Sequence, residues 1–310
     1  MGPKRDRRAT EVTLTDPSPC SDVRELGKIG RSIGGRYRLV RLLGTGGSGS
    51  VYEAWDQGRS EAVAVKLLHE HLRGSDQHVA RFAREARAAM AIVHSSIVRV
   101  LDVGEDRGGA LFLVLELLEG ESLGEAIDRS LETRDAIEIG RQLLSALEAA
   151  HAHGVIHRDI KPDNLFLTRG APGTVRLKVL DFGIAKWVAP SASIQTADGL
   201  VLGTPDYMSP EVCRGGVATA AADLWSAAAV LFHVLAGRPP FEEEHIGRLL
   251  MKIVRERAPS LASLRPDLPA AVTDAVDRAL DPDPAKRFPS ARALATALGS
   301  AVSIDGLDWD

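Results

Sequence analysis

The sequence predicts an α+β fold made of two lobes, a small one rich in antiparallel strands and a larger one that is mainly helical. Runs of β-branched and aromatic residues fill residues 36–118, whereas segments of helical periodicity fill residues 119–300. The chain of 310 residues is 45% hydrophobic, which is enough to bury a core in both parts. Residues 1–35, rich in Pro, Ser, Asp and Arg, are predicted to form a disordered tail, and residues 301–310 a short second tail.

The first lobe is predicted to contain several strands and one helix. The strand segments are YRLVRLL, SVYEAW, EAVAVKLL, IVRVLDVG and ALFLVLEL. The helix segment is SDQHVARFAREARAAMAIV, in which Ser75 is placed to cap the first turn. Its apolar face is predicted to consist of residues that recur at helical spacing, namely Val79, Phe82, Ala86, Met90 and Val93.

The second lobe is predicted to be built from helices with short strands between them. One helix begins at Thr133 and ends at Gly154, a residue type that commonly ends helices. The most apolar segment, LWSAAAVLFHVLAG from Leu224 to Gly237, includes His233 and is shorter than the roughly 20 residues that span a bilayer. We therefore expect a buried core helix there, and we expect RALATALGS to be the last helix.

Composition narrows the classes of function. The net charge is -4 and 26% of the residues are charged, so we expect no nucleic-acid partner and no binding to a membrane surface. No membrane segment is predicted, and the basic start of the chain is followed by no apolar signal sequence. Cys20 and Cys213 form no C-x-x-C pattern, which argues against a disulfide framework or a thiolate zinc site. A reducing, cytoplasmic setting is therefore predicted.

The segment LLGTGGSGSVYEAW contains Gly44, Gly46 and Gly49 in the pattern G-x-G-x-x-G, which serves two unrelated phosphate-binding designs. In dinucleotide-binding folds the glycines lead directly into a helix, with a carboxylate about 20 residues further on. Here strand formers such as Val51 and Tyr52 follow them. We therefore place the glycines at the tip of an antiparallel hairpin, where backbone N–H groups approach phosphate oxygens. A dinucleotide-dependent oxidoreductase is the disfavoured alternative.

Lys66 lies in the predicted strand EAVAVKLL, and the two-residue alternation of a strand places it on the same face as Ala64. An isolated lysine in such a strand usually packs its stem and exposes its amine. The alternative is an ammonium directed at phosphate oxygens in a cleft between the lobes. A carboxylate has to hold such an amine in place. Glu85, three residues after Phe82 on the predicted helix, is the candidate.

Two motifs in the second lobe carry the strongest signal. HRDIKPDNL contains Asp159, Lys161 and Asn164, and the strand LKVLDFG leads to Asp181. In this order, after a glycine hairpin and a strand lysine, the motifs resemble the protein-kinase family, and more closely the bacterial serine/threonine kinases of eukaryotic type. The resemblance extends from residue 36 to about residue 300. It implies a bilobal protein-kinase-like fold, with the small N-lobe ending at residue 118 and the C-lobe following it.

The resemblance implies transfer of a phosphoryl group from ATP, a reaction in which the protein mainly positions the reactants and neutralises charge. Asp159 would accept the proton of the substrate hydroxyl or orient that hydroxyl, and Lys161 would steady the γ-phosphate. Lys66 would contact the α- and β-phosphates while Glu85 orients it. The implied cofactors are ATP and Mg2+, with Mn2+ as the alternative ion. The metal ligands would be Asn164 and Asp181.

The same comparison places the nucleotide between the glycine hairpin and the C-lobe. Apolar side chains would enclose the adenine, Leu115 would guard the rear pocket, and the backbone of residues 116–118 would give hinge hydrogen bonds. Apolar residues at these positions would also be ordinary core. The predicted nucleotide contacts are Leu43, Gly44, Thr45, Gly46, Gly47, Ser48, Gly49, Val51, Ala64, Lys66, Leu115, Glu116, Leu118 and Phe166.

A protein substrate with serine or threonine acceptors is implied by GTPDYMSPE, which resembles the peptide-binding platform of protein kinases. Within it, Thr204 would contact the catalytic loop and help to select the acceptor. The resemblance further implies that Glu211 pairs with Arg287 and that Asp223 supports the backbone of the catalytic loop. These last three residues would be structural.

Arg158, directly before Asp159, implies regulation by a phosphate on the activation loop, because an arginine at this position commonly pairs with such a phosphate. The loop from residue 184 to residue 203 offers three acceptors, of which Thr196 is favoured over Ser193 and Ser191. We expect autophosphorylation in trans, through a transient homodimer.

Two alternatives complete the predictions. A pseudokinase scaffold would bind ATP without transferring phosphate, but such proteins usually lack the strand lysine, the catalytic aspartate or the metal aspartate, all of which are present. The histidines of HAHGVIH, namely His151, His153 and His157, fit no common zinc motif and are predicted to be a helix end and part of the catalytic loop. The chain is either a free-standing enzyme or the catalytic part of a longer one.

Overall fold

The computed structural model describes residues 25–69, 76–129, 131–169, 174–181 and 205–299, without the side chains of residues 76–78, 81, 85 and 169. Its strands are β1 (Ser32–Ile33), β2 (Tyr37–Gly46), β3 (Gly49–Asp56), β4 (Glu61–Leu68), β5 (Val100–Glu105), β6 (Leu111–Glu116), β7 (Gly120–Ser122), β8 (Leu165–Arg169) and β9 (Val175–Val179). Its α-helices are α1 (Asp76–Met90), α2 (Leu123–Ile127), α3 (Thr133–Ala152), α4 (Pro210–Cys213), α5 (Ala220–Ala236), α6 (Ile246–Arg255), α7 (Leu261–Leu264), α8 (Ala270–Ala279) and α9 (Ala291–Gly299).

The strands form two antiparallel sheets. The larger has the order β1-β2-β3-β4-β6-β5, and the smaller has the order β7-β8-β9. The five strands predicted from residues 37–117 are β2 to β6, and helices dominate from α3 onwards. The predicted α+β fold, with an antiparallel sheet followed by a mainly helical part, is therefore confirmed.

The β2–β3 hairpin carries the glycine pattern at its tip. Gly46 pairs with Gly49, and Gly47 and Ser48 form the turn between them. A Cβ atom on Gly49 would lie 2.1 Å from the backbone oxygen of Leu67 in β4. The two strands can therefore approach this closely only because residue 49 has no side chain.

We expect Gly49→Ala to lower the free energy of unfolding by about 1–3 kcal/mol, because the added methyl group must push β3 away from β4. Gly46→Ala is the matched control, since a Cβ atom there approaches the oxygen of Gly49 only to 4.0 Å. Denaturant unfolding measures both variants. Equal free energies of unfolding for the two would contradict the packing role assigned to Gly49.

Helix α1 packs on the larger sheet through Phe82, Ala86 and Ala89, which are all buried. The predicted apolar face is correct at Phe82 and Ala86 but wrong at Met90 and Val93, whose exposed fractions are 36% and 84%. The physical reason is that the helix ends at Met90, so Val93 lies beyond the last turn. Ala89 occupies the buried position near the end of the helix instead.

The core of the helical part is centred on α5, which is buried along most of its length, including Trp225 and Phe232. The prediction of a buried core helix is confirmed. Helix α5 is capped by Gly237, with φ of 75°, and α3 is followed after His153 by Gly154, with φ of 71°. Both glycines adopt the left-handed conformation that ends helices. Within the described ranges, no helix is long and apolar enough to cross a membrane.

Residues 25–35 belong to the fold, so the prediction of a disordered tail up to residue 35 is wrong for this stretch. Strand β1 pairs with β2, and Ile33 is buried in one cluster with Tyr37 and Leu39. The N–H of Gly30 also donates to the oxygen of Leu39 at 2.9 Å. The polar composition concealed this order because the segment is held by backbone pairing and by a single deeply buried aliphatic residue. Residues 1–24 and 300–310 lie outside the described residues.

Candidate active site

Lys66 connects the larger sheet to the segment that follows β9. Its side chain is only 6% exposed, and its Nζ donates to Oδ2 of Asp181 at 2.5 Å, across 115 residues of sequence. Asp181 has a φ of 52°, a left-handed conformation that is costly for a residue other than glycine. The structure therefore holds the strand lysine and the predicted metal-binding aspartate together.

The loop between α3 and β8 brings three further predicted residues into contact. The amide nitrogen of Asn164 donates to the backbone oxygen of Asp159 at 2.7 Å and to its Oδ2 at 2.9 Å. The Nζ of Lys161 lies 3.5 Å from the same carboxylate oxygen. A short 3-10 turn over Pro162–Asn164 allows these contacts between near neighbours in sequence. The loop thus presents a carboxylate beside an amide and an ammonium.

Leu180 joins these two groups of residues. Its N–H donates to the backbone oxygen of Asn164 at 2.8 Å. Its own backbone oxygen accepts a hydrogen bond from Nε2 of His157, also at 2.8 Å. Because Leu180 directly precedes Asp181, the carboxylates of Asp159 and Asp181 are fixed relative to each other through the backbone. The predicted lysine, amide and two aspartates are therefore brought together in one network.

His157 positions the loop from inside the protein. Its Nε2–H donates to the oxygen of Leu180, while its Nδ1 accepts the N–H of Asp159 at 3.2 Å. Burial lowers the pKa of His157, which favours the neutral ring that this donor and acceptor pattern requires. The structural role predicted for His157 agrees with these contacts.

Asp223, near the start of α5, holds the backbone of the same loop. Its Oδ2 accepts the N–H of His157 at 2.8 Å and Nε2 of His151 at 2.8 Å, and its Oδ1 accepts the N–H of Arg158 at 2.9 Å. Asp223 is only 1% exposed. Arg158 has a φ of 68°, so the two N–H groups converge on this carboxylate in an unusual backbone conformation. This is the backbone support that the resemblance to protein kinases implied for Asp223.

The donor set suits a hard divalent cation. Asn164 uses its side-chain nitrogen in the hydrogen bonds to Asp159, which leaves its side-chain oxygen to act as a metal ligand. Asp181 uses Oδ2 for Lys66 and carries a second carboxylate oxygen. Carboxylate and amide oxygens are the ligands that Mg2+ prefers. These two residues therefore fit the metal role predicted for them.

The residues predicted to enclose adenine lie on both sheets. Val51 pairs with Lys66, and Ala64 pairs with Leu115, in the register of the larger sheet. Phe166 is buried on β8 of the smaller sheet. The strand order thus places Val51 and Leu115 on either side of β4, which carries both Ala64 and Lys66. That Phe166 closes the adenine site from the other side remains a prediction.

Glu116, at the end of β6, is held in place by a lysine that the sequence analysis did not identify. Nζ of Lys178, on β9, donates to Oε1 of Glu116 at 2.6 Å, and the same oxygen accepts the N–H of Arg99 at 2.9 Å. The start of the predicted hinge is therefore tied to the strand that leads to Asp181. The two-residue alternation of a strand assigns Lys178 to one face of β9, but no local pattern indicates its partner.

Comparison with known proteins identifies the fold family. The sequence profile of the protein kinase domain family matches residues 37–298. The chain belongs to the protein kinase family. This assignment agrees with the resemblance drawn from the glycine hairpin and from the HRDIKPDN and DFG motifs.

Relatives and solved structures of protein kinases resemble this chain along most of its length. The serine/threonine-protein kinase PrkC of Bacillus subtilis (strain 168) is 35% identical over 282 residues, which cover 90% of this chain and 42% of PrkC. The chain likewise spans less than two thirds of several other bacterial kinases. The solved kinase domain of Mycobacterium tuberculosis PknI has a TM-score of 0.69 and 30% identity, covering 88% of this chain and 98% of the solved chain.

A solved nucleotide complex is among the structural neighbours of this kinase chain. Rad53 1-466 in complex with AMP-PNP has a TM-score of 0.69 and 25% identity, covering 84% of this chain and 64% of that one. AMP-PNP, an ATP analogue, is bound there by Rad53.

The predicted pair of Glu211 and Arg287 is present. Arg287 donates to both carboxylate oxygens of Glu211 at 2.8 Å, and its guanidinium lies 4.9 Å from the centre of the Trp225 ring. Burial raises the pKa of Glu211, but the hydrogen bonds and the charge of Arg287 act in the opposite direction together with a backbone hydrogen bond, and the net pKa lies below its ordinary value. The pair is bidentate and largely buried, and it fastens the start of α4 to the rest of the kinase C-lobe.

Several predicted residues lie outside what the structure describes. Glu85 is on α1, but its side chain is outside the description, so its pairing with Lys66 stays a prediction, and the carboxylate that contacts Lys66 is that of Asp181. The remaining predictions that fall outside the described residues are Ser75, Ser191, Ser193, Thr196 and Thr204.

Proposed function

We propose that this chain is a serine/threonine protein kinase, which transfers the γ-phosphoryl group of ATP to serine or threonine hydroxyls of protein substrates. One observation carries the proposal: the Lys66–Asp181 pair and the Asp159–Asn164 pair are joined through Leu180 into a single network. The names of the bacterial relatives support the class of acceptor. The AMP-PNP complex of the structural neighbour supports ATP as the donor.

Each side chain has a role that its surroundings allow. Lys66 is buried and cationic, so it can neutralise charge on the α- and β-phosphates in a site shielded from water. Asp159 directs a carboxylate toward the position of the substrate hydroxyl, where it orients that hydroxyl and accepts its proton. Lys161, beside Asp159, steadies the γ-phosphate. The glycine hairpin covers the phosphates with backbone N–H groups.

Mg2+ would be held by Asn164 and Asp181. When bound, it supplies charge neutralisation at the β- and γ-phosphates. The protein contributes to this by orientation, because Asn164 is fixed to Asp159 and Asp181 is fixed to Lys66. Mn2+, which also takes oxygen ligands, is the alternative ion for the same donor set.

Regulation by phosphorylation of the activation loop is part of this proposal. Arg158 directly precedes Asp159, and its backbone N–H is anchored to Asp223. A loop phosphate that reaches the Arg158 guanidinium would therefore act close to the catalytic carboxylate. Thr196 is the favoured acceptor, ahead of Ser193 and Ser191, and transfer in trans would require a transient homodimer.

The direct test is incubation of the purified chain with radiolabelled ATP, Mg2+ and a generic basic protein. We expect label on serine or threonine, and we expect EDTA to abolish it. Lys66→Met is expected to lower kcat/KM by about a hundredfold, because a charged group aimed at the phosphates is lost. Lys286→Met, at an exposed position of the C-lobe, is the matched control. Binding of ATP by the folded parent without any transfer of label would contradict the proposal.

A further inference from the structure

Residues 25–35, here called the N-terminal strap, lie against the face of the larger sheet that is opposite to Lys66. Ile33 belongs to a buried cluster that includes Tyr52, Val63 and Val65. In β4, Val63 and Val65 alternate with Ala64 and Lys66, so the two sets point to opposite faces. The strap therefore covers one face of these strands, and the predicted nucleotide contacts, such as Ala64 and Lys66, lie on the opposite face.

The first anchor of the strap is Glu25. Its carboxylate accepts a short hydrogen bond from the hydroxyl of Tyr52, and its backbone oxygen lies 3.2 Å from the same hydroxyl. Lys28 donates to both carboxylate oxygens at 2.8 and 2.7 Å. Glu25 is 7% exposed and Tyr52 is fully buried. Because Glu25 is buried and accepts hydrogen bonds from both Lys28 and Tyr52, this contact belongs to the interior of the fold and not to its surface.

The second anchor is at the other end of the strap. The N–H of Gly34 donates to Oδ1 of Asp106, in the turn between β5 and β6, at 3.1 Å. Gly34 has a φ of 57°, and a Cβ atom there would lie 2.9 Å from the Phe112 ring. Only glycine fits this position without displacing the ring. The strap is thus fixed at both ends, and the pairing of β1 with β2 fixes its middle.

The contact at Tyr52 acts on the glycine hairpin because of where Tyr52 lies. It is three residues after Gly49 on β3, and Ser50 is buried on the same face. Val51, between them, points to the other face and pairs with Lys66. Tyr52 and Val51 are neighbours on β3 with side chains on opposite faces. A hydrogen bond that holds Tyr52 in place therefore also limits the movement of Val51 and of the glycine backbone relative to the nucleotide.

We propose that Glu25 is a positioning residue for the phosphate-binding hairpin, and that through Tyr52 it sets the affinity of the kinase for ATP. The inference rests on the proposed function, since it assigns the nucleotide to the front of the same strands. The pKa shifts of Glu25 and Tyr52 agree with this proposal. Burial raises the pKa of Glu25, but the hydrogen bonds from Lys28 and Tyr52 and the charge of Lys28 act in the opposite direction, and the net pKa lies below its ordinary value. Burial and the Glu25 carboxylate raise the pKa of Tyr52, so the hydroxyl keeps the proton that it donates.

The test compares the ATP kinetics of variants of this chain of 310 residues. Glu25→Ala and Tyr52→Phe are each expected to raise the KM for ATP by about tenfold, because each removes a charge-assisted hydrogen bond. We expect kcat to stay within about twofold of the parent. Glu25→Gln should recover most of the loss, since its amide oxygen still accepts from Tyr52. The double variant should be no worse than either single one, because both remove the same bond.

Glu61→Ala is the matched control, because Glu61 is exposed at the far end of the same sheet, where it pairs with Arg59. Hydrogen exchange of residues 43–52 without ATP gives a readout that does not depend on catalysis, and we expect it to accelerate in Glu25→Ala but not in Glu61→Ala. If the parent transfers no phosphate but exchange accelerates, the proposed function fails while the positioning by Glu25 stands. Unchanged exchange, an unchanged KM in the folded variant, or additive single effects would overturn the role of Glu25.

Discussion

Asp159→Asn is expected to lower kcat by about 10²–10⁴-fold, with little change in the KM for ATP. Asparagine has nearly the same size as aspartate but cannot accept the proton of a substrate hydroxyl. The loop should keep its conformation, because an asparagine oxygen can still accept the hydrogen bond that Asn164 donates at 2.9 Å. The expected loss is therefore chemical, and it should appear in kcat.

Steady-state phosphotransfer to a generic basic protein measures this effect, with ATP and protein concentrations varied separately. Asp274→Asn is the matched control, since it makes the same change at an exposed position on α8. Thermal unfolding of both variants should agree with that of the parent. A kcat of Asp159→Asn within tenfold of the parent would show that another group accepts the proton, and a loss that parallels unfolding would make Asp159 a structural residue.

Local pattern was enough to predict the scaffold of the N-lobe. The alternation in residues 37–68 predicted β2, β3 and β4, and the strand formers after the glycines predicted the hairpin at Gly46 and Gly49. Both predictions depend on residues close in sequence, whose side chains point to fixed faces of a strand. The end of α1 was less predictable, because periodicity continued past the point where the helix stops, and Val93 is exposed as a result.

The resemblance to protein kinases predicted contacts that no local pattern contains. The bidentate pair of Arg287 with Glu211 and the support of the catalytic loop by Asp223 are both present. In each case the family pattern specified which distant residues meet. Periodicity cannot do so, since it assigns a residue to a face of an element but not to a partner on another element.

Contacts outside that pattern were missed for the same reason. Glu25 lies in a segment with a polar composition, and its partner Tyr52 was taken as an ordinary strand former. Lys178 and Glu116 are 62 residues apart, and nothing in either local sequence links them. Long-range polar contacts depend on the assembled sheets, so a single sequence does not reveal them.

Asp223→Ala is expected to lower the free energy of unfolding by about 3–5 kcal/mol and to reduce kcat more than that loss of folded protein explains. The carboxylate is 1% exposed and accepts hydrogen bonds from the N–H groups of His157 and Arg158 and from His151. Its removal leaves these buried donors without their acceptor. Arg158 would no longer be held at a φ of 68°, so Asp159, the next residue, would lose its position.

Denaturant unfolding and kcat, both measured on the same preparation of the Asp223 variant, separate the two parts of this prediction. Asp274→Ala, at the exposed site on α8, controls for the loss of a carboxylate and is expected to change stability by less than about 0.5 kcal/mol. A variant that loses stability but keeps full kcat would show that Asp223 only supports the core. A variant that keeps stability within 1 kcal/mol would contradict the converging hydrogen bonds, because about that much is lost with even one buried, unsatisfied donor. Only a combined loss agrees with a carboxylate that both anchors α5 to the loop and holds Asp159 in place.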